Sequence, residues 1–143
     1  KTMLYIYIYE EIIYLSICFS GTVDWHIKHK YDKYIVSMFN NHQEMNKGSG
    51  YAIGAKSIKL IKGHSIKKQY KVSIKDSSWK INSNTEDDKT FQRMYLDTIY
   101  RPLKKDENTD KEMLLDWKEA KLRAIQSGRS KIIVGHKDIL IKT

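Results

Sequence analysis

Apolar and polar residues alternate over much of the first hundred positions. In residues 70–75, Tyr70, Val72 and Ile74 fall on one side of an extended chain, and polar side chains fall on the other. Residues 22–28, 34–39, 51–61, 77–82 and 89–100 have a similar strand-like pattern, and polar or glycine-containing turns separate them. Such runs are typical of half-buried β-strands. They predict six to seven strands, including a hairpin over residues 56–75 that turns at 62–65.

The pattern becomes helical after residue 108. Met113, Trp117 and Ala124 recur at the spacing of one helix face. Thr109 and Glu112 have the spacing of a capping box, and Gly128 follows the last apolar position as a glycine C-cap does. We expect a helix over residues 110–127 that buries Trp117 in the core, followed by one or two short strands in residues 129–143.

These elements predict an α+β fold. Strands come first and one helix follows, an order that favours an antiparallel sheet over alternating βαβ units. We expect an antiparallel β-barrel or strongly bent sheet of about seven strands, capped by one C-terminal helix. A chain of 143 residues has room for one core. We divide it into an N-terminal strand or extension (1–19), a main domain (20–128) and a C-terminal strand extension (129–143).

The segments "TFQRMYLDTIY" and "DKEMLLDWKEAKLRAI" are separated by a polar connection. This arrangement resembles the last strand and the tryptophan-bearing capping helix of the pleckstrin homology superfold. The resemblance implies a β-barrel closed by that helix, over residues 20–128. It also implies a lipid-headgroup site between the first two strands, here Lys28, Lys30 and Lys33. A frequent arginine of that site corresponds to Ile35, a departure that argues against specific recognition of polyphosphoinositides.

The net charge of +9 is unevenly distributed along the chain. Residues 45–85 hold nine lysines and one aspartate, whereas residues 86–119 hold more acids than bases. A focused positive field attracts polyanions. Codon usage in an AT-rich genome is the alternative source of the lysines. The predicted polyanion-binding residues are Lys28, Lys30, Lys33, Lys56, Lys59, Lys62, Lys67, Lys71 and Lys75.

The apolar run at residues 3–19 is too polar at its centre for a membrane span, because Glu10 and Glu11 interrupt it. We read it as a long strand or a hairpin. The single cysteine, Cys18, has no internal disulfide partner, which fits a reducing compartment. We therefore expect a cytoplasmic protein without a transmembrane segment, whose association with a membrane would be peripheral.

The sequence gives no pattern typical of an enzyme. His26 and His29 would point to opposite faces of a strand, so we expect no metal site there. The glycines at 48, 50 and 54 do not have the spacing of a nucleotide-binding loop. We predict no catalytic residues, no metal and no cofactor.

We therefore predict a non-catalytic binding module that docks on anionic phospholipid headgroups through a lysine-rich face. The scarcity of arginine, four residues in all, favours diffuse attraction over bidentate phosphate recognition. The alternative is a basic RNA-bound or protein-interaction subunit of a larger assembly, such as a ribonucleoprotein complex.

Overall fold

The computed structural model describes residues 11–46, 48 and 50–143, and the backbone but not the side chain of Ile17. Within these residues the chain forms four strands, four α-helices and one short 3-10 turn. The strands are β1 (Ile12–Trp25), β2 (Lys71–Asp76), β3 (Trp79–Asn82) and β4 (Lys131–Lys142). The helices are α1 (Asp32–Gln43), α2 (Ser57–Lys67), α3 (Glu86–Lys105) and α4 (Lys111–Gln126), and the 3-10 turn is Gly54–Lys56.

The strands form an open antiparallel sheet with β4 in the middle. β1 pairs with one edge of β4, while β2 and β3 pair end to end with its other edge. The register along β2 and β3 is continuous, from Lys71 opposite Lys142 to Asn82 opposite Lys131. Residues 129–143, predicted as an extension, therefore supply the central strand. A Cβ on Gly135 would overlap the Ser20 and Thr22 side chains, so β1 and β4 approach this closely only with glycine there.

The main core lies between one face of the sheet and helices α1, α3 and α4. β1 contributes Trp25, β4 contributes Ile132 and Val134, and α4 contributes Trp117, which is fully buried. Trp25 and Trp117 meet edge to face, with ring centroids 5.5 Å apart. The prediction that Trp117 belongs to the core is confirmed.

The other end of the sheet presents its apolar side chains to the opposite face. Ile139 and Ile141 are buried, but they occupy odd positions of β4, whereas Ile132 and Val134 occupy even positions. The register of β4 with β2 and β3 has no shift between these two pairs. Successive side chains of a strand alternate between faces. Helix α2 covers this second apolar face, since it packs against β2, β1 and β4.

The strand predicted at residues 34–39 is wrong, because this segment lies in α1. Its buried residues are Ile35, Val36 and Phe39, which is the spacing of a helix face. β-branched Ile35 and Val36 suggested a strand, but packing against the core decides the conformation.

The hairpin predicted at residues 56–75 is also wrong in its first half. Residues 57–67 form α2, and the glycine at 63, read as part of a turn, lies inside the helix. Only β2 is extended, and there the predicted alternation is confirmed: Val72 and Ile74 are half-buried, while Lys71 and Lys75 are exposed.

The last predicted strand, residues 89–100, is part of the twenty-residue helix α3. The Thr85 hydroxyl accepts from the Asp88 amide and the Asp88 carboxylate accepts from the Thr85 amide, which is a capping box. Seven strands are therefore not found among the described residues. Both segments that carried the pleckstrin homology resemblance are helical, and that resemblance stays a prediction.

The C-terminal helix is confirmed with one correction. Asp110, not Thr109, caps α4, since its carboxylate accepts a hydrogen bond from the Met113 amide. Gly128 follows the C-cap residue with a φ of 71°, as the glycine position after a helix requires. The strand pattern at residues 3–10 lies outside the described residues.

Candidate functional site

The nine predicted lysines are all exposed, but they lie on elements of three kinds. One group sits in and after the turn between β1 and α1. A second group lies on the 3-10 turn and α2, and the last two lysines lie on β2. The members of the three groups in order are Lys28, Lys30 and Lys33; Lys56, Lys59, Lys62 and Lys67; and Lys71 and Lys75.

The first group borders a cavity of about 650 Å³ between β1 and the start of α1. The cavity is mixed in charge, because Asp24 and Asp32 line it together with the lysines. Lys28 forms an ion pair with Asp24, and the Lys30 ammonium lies 4.7 Å from the centre of the Tyr31 ring. An anion entering this cavity would meet carboxylates as well as ammonium groups.

Asp32 holds the turn against α4. One carboxylate oxygen accepts from the Trp117 indole at 2.9 Å and contacts the Lys121 ammonium at 2.7 Å. The other accepts from the His29 amide at 2.8 Å. Lys121, only 3% exposed, also donates to the Ile27 carbonyl at 2.9 Å. This arrangement fixes the path of the chain from β1 into α1.

Burial lowers the pKa of the Lys121 ammonium, and the hydrogen bond to Asp32 only partly offsets this effect. The Lys121 ammonium also lies 4.7 Å from the centre of the Trp25 ring. Sequence reasoning missed this pair, although one signal was present: Lys121 lies four residues after Trp117, on the buried face of α4. Lys121 does not line the neighbouring cavity, so we assign it a positioning role.

Helix α2 exposes both basic and apolar side chains to solvent. Ile58, Ile61 and Ser65 point toward the sheet, at helical spacing. The rest of the helix surface carries Lys59, Lys62 and Lys67 together with Leu60 and Ile66. The side chains of Leu60 and Ile66 are 54% and 56% exposed. We call the set Lys59, Leu60, Lys62, Ile66 and Lys67 the α2 docking face.

The exposed apolar members of this face were missed by sequence reasoning. On the predicted hairpin, Leu60 and Ile66 would have been assigned to a sheet face rather than to solvent. The segment before α2 adds two more exposed apolar side chains, Tyr51 and Ile53. Exposed apolar side chains indicate an interaction site where they form one contiguous patch, whereas isolated ones are common on protein surfaces.

Carboxylates neutralise few of the nine lysines. Among the described residues, ion pairs within 4.0 Å join Lys28 to Asp24 and Lys56 to Glu44. For the remaining seven predicted lysines, none of the carboxylates in that part of the chain lies within this distance. The three lysines of the α2 docking face belong to these seven.

The lysines do not share one pocket. Lys33 lies in the first turn of α1, whereas Lys56 pairs with Glu44, the residue that caps the other end of that helix. A helix of twelve residues is about 18 Å long. Lys33 and Lys56 therefore lie at opposite ends of α1, separated by about the length of this helix.

We expected no metal site at His26 and His29 because a strand would point them to opposite faces. β1, however, ends before them, at Trp25. Both histidines lie in the following turn, and the His29 ring nitrogen is 3.6 Å from an Asp116 oxygen. Across residues 11–46, 48 and 50–143, no three His, Cys, Asp or Glu side chains come together as metal ligands would.

A scan against protein-family models found no match, and searches of curated proteins and of solved structures found no significant similarity. None of the helices in the described part of the chain is both long and apolar enough to cross a membrane. We therefore infer the function of this protein from its exposed residues.

Proposed function

We propose that this protein is a non-catalytic module that docks on anionic phospholipid surfaces through the α2 docking face. Lys59, Lys62 and Lys67 supply the attraction to the headgroups. Leu60 and Ile66 enter the boundary between headgroups and acyl chains, where amphipathic helices bury their apolar side chains. Docking of this kind suits a peripheral protein of the cytoplasmic side of a membrane.

The observation that carries the proposal is the exposure of Leu60 and Ile66 on a helix whose Lys59, Lys62 and Lys67 have no carboxylate within 4.0 Å in the described part of the chain. A surface that binds only phosphates by charge has no use for half-exposed leucine and isoleucine side chains, which cost free energy in water. A membrane boundary offers both an anionic layer and an apolar layer. This combination favours a lipid surface over the phosphate backbone of RNA.

The turn lysines contribute less in this account. Lys28 is already paired with Asp24, and Asp32 shares the cavity with Lys30 and Lys33. These carboxylates reduce the local positive potential that an anionic headgroup would meet. The α2 docking face has no such carboxylates among its own members.

Binding should depend strongly on salt. Each lysine near an anionic membrane contributes about 1 kcal/mol, and charges further apart than about 8 Å are screened at physiological ionic strength. The apolar contribution of Leu60 and Ile66 does not depend on salt in this way. We expect added salt to weaken docking without abolishing it.

The test is flotation of the protein with vesicles, run beside an RNA gel shift at the same salt. We expect binding to vesicles that contain phosphatidylglycerol or phosphatidylserine, little binding to pure phosphatidylcholine, and weaker binding to RNA. The variant Lys59→Gln, Lys62→Gln, Lys67→Gln should lose up to about 3 kcal/mol of vesicle binding, roughly a hundredfold in affinity.

The matched control removes two exposed lysines from the end of α3, Lys104→Gln and Lys105→Gln. It should bind vesicles nearly as well as the parent protein. Binding to RNA but not to any anionic vesicle would overturn the proposal and favour the RNA-bound subunit. A loss of binding free energy proportional to the number of lysines removed in each variant would show that only the net charge matters.

A further inference from the structure

A cavity of about 490 Å³ lies between β3 and the first two turns of α3. Its volume is within the range of about 300–1,000 Å³ typical of ligand pockets. β3 contributes Trp79 and Ile81 to the lining, and α3 contributes Asp87, Asp88 and Phe91. In the described part of the chain, aromatic and apolar walls therefore meet two carboxylates, and no basic residue lines the cavity.

The aromatic walls of this cavity are fixed by their neighbours. The Trp79 ring lies against the buried His136 ring, with centroids 4.3 Å apart, and meets the Phe91 ring edge to face at 5.8 Å. Trp79 is nevertheless only half-buried, and Phe91 is 41% exposed. Aromatic rings that are held in place and still partly exposed attract organic cations through their π-faces.

The carboxylates of the cavity have unused hydrogen-bonding capacity. Asp88 accepts from the Thr85 amide through Oδ2, at 3.2 Å, as part of the capping box of α3. Its Oδ1 and both carboxylate oxygens of Asp87 have no hydrogen-bond or ion-pair partner among the described residues. The role of Asp88 in the cap therefore leaves negative charge at the cavity uncompensated.

The nearest basic residues in the sequence do not neutralise these carboxylates. Lys89 pairs with Glu86 at 2.7 Å. Lys80 lies between Trp79 and Ile81 in β3, so its side chain points to the other face of the sheet. The start of a helix carries a positive partial charge of about half a unit, which opposes a cation, but the two carboxylates exceed it. The cavity is therefore locally anionic in a chain whose net charge is +9.

We propose that this cavity binds a small soluble cation that carries a methylated ammonium group, such as choline. The methyl groups pack against Trp79, Ile81 and Phe91. The carboxylates of Asp87 and Asp88 balance the charge. A quaternary ammonium group has no N–H to satisfy, which agrees with the largely apolar walls. A metal ion matches this lining poorly, because Ca²⁺ takes about six to eight oxygen ligands.

The cavity is remote from the α2 docking face. Trp79 and Ile81 pack against the main core, whereas α2 covers the opposite face of the sheet at its other end. A membrane docked on α2 would therefore not present its choline headgroups to the cavity. The inference goes beyond the proposed function and does not depend on it.

The test is NMR of the labelled indole groups of the full chain, whose three tryptophans report separately. Trp79 lines the cavity, while Trp25 and Trp117 are buried in the main core. The probes are choline chloride and its uncharged analogue, in which a tert-butyl group replaces the trimethylammonium group. At an ionic strength held constant with sodium chloride, we expect a saturable shift of the Trp79 signal with choline and none of Trp117. The uncharged analogue should bind about tenfold more weakly.

Two variants separate the contribution of charge from that of the ring. Asp87→Asn removes one negative charge without altering the capping box and should weaken choline binding about fivefold. Its matched control, Glu112→Gln, changes an exposed acid in the first turn of α4 and should leave the affinity unchanged. Phe91→Leu keeps an apolar wall, removes the ring and should also weaken binding about fivefold. Unchanged Trp25 and Trp117 signals show that each variant is folded.

Equal binding of choline and the uncharged analogue would overturn the proposal, because it would identify a general apolar cavity. So would the absence of a Trp79 shift, or an equal loss of affinity in Asp87→Asn and Glu112→Gln. A response of Trp79 to phosphatidylcholine vesicles but not to choline would assign the site to a lipid headgroup and would also overturn it.

Discussion

Asp32 connects the turn after β1 to α4 by contacts that only its carboxylate can make. It accepts from the His29 amide and the Trp117 indole, and it pairs with the buried ammonium of Lys121. A buried charge that loses its partner is costly, whereas the pair as a whole is close to neutral in stability. At the scale of single residues, the fold is therefore most sensitive where Asp32 meets Lys121.

Replacing Lys121 with methionine should lower the free energy of unfolding by about 3–5 kcal/mol, because it leaves Asp32 buried without a counter-charge. Urea unfolding followed by tryptophan fluorescence measures this change. Arg123→Met, an exposed change on the same helix, should cost no more than about 0.5 kcal/mol. The double variant Asp32→Asn, Lys121→Met should recover part of the loss, and a Lys121→Met cost as small as that of the control would contradict this account.

Gln69 occupies a backbone conformation that favours glycine. Its φ is 62°, and it follows the C-cap residue of α2. The Gln69 amide bonds to the Ile66 carbonyl and the Tyr70 amide to the Ser65 carbonyl, which is the Schellman arrangement. This position therefore stores strain that glycine would not have.

Gln69→Gly should raise the free energy of unfolding by about 1 kcal/mol, since a left-handed conformation costs a side-chain-bearing residue about that much. The comparison is Lys67→Gly, two residues earlier and inside the helix, which should lower it by about 1 kcal/mol. Thermal and urea unfolding measure both changes. A destabilising effect of Gln69→Gly would show that the side chain contributes contacts that outweigh the strain.

At the scale of elements, the sequence predicted α4 well. The helical spacing of its apolar residues and the glycine that follows its end both indicate the same helix. It failed for α1 and α2, where β-branched residues and lysines placed close together imitate strand alternation. For α3, exposed Phe91 and Met94 interrupt the helical period. The spacing of Thr85 and Asp88 is that of a capping box and is a sequence signal for the start of α3.

An ion pair joins α3 to α4. Lys118 contacts Asp97 at 2.9 Å and holds the pKa of that carboxyl below its ordinary value, with Arg101 adding to the effect. In the unfolded chain the carboxyl titrates near pH 4. The stability from this pair is therefore present above about pH 4 and is lost as the pH falls through the lower pKa of the folded state.

Asp97→Asn should make the free energy of unfolding less dependent on pH below about pH 5, since an amide does not titrate. This range follows from the ordinary carboxyl pKa of about 4. Urea midpoints across that range measure the slope. Glu107→Gln, an exposed change in the loop between the two helices, is the control. If Asp97→Asn and the parent protein lose stability equally in acid, the pair does not contribute as described.

At the scale of the whole molecule, the α+β class and the antiparallel sheet were predictable from periodicity and the order of elements. The central position of β4 was not, because pairing between residues about fifty or more positions apart leaves no local pattern. The exposure of the nine lysines was expected. The placement of Lys33 and Lys56 at opposite ends of α1 depends on tertiary packing. The α2 docking face could be recognised only once Leu60 and Ile66 were placed on a helix.

The two ends of the sheet are covered by helices on opposite faces. α1, α3 and α4 seal the main core, while the short helix α2 covers the second apolar face. Within the described part of the chain, the side chains on the outer face of this helix are exposed to solvent.

The most direct measurement is the affinity of the variant Leu60→Ser, Ile66→Ser for anionic vesicles at physiological salt. The variant keeps every charge of the docking face and removes only the apolar side chains. Each half-exposed side chain should contribute about 1 kcal/mol on insertion, so we predict binding about 30-fold weaker than that of the parent protein. Unchanged vesicle affinity would contradict insertion of α2 and leave charge as the whole of the attraction.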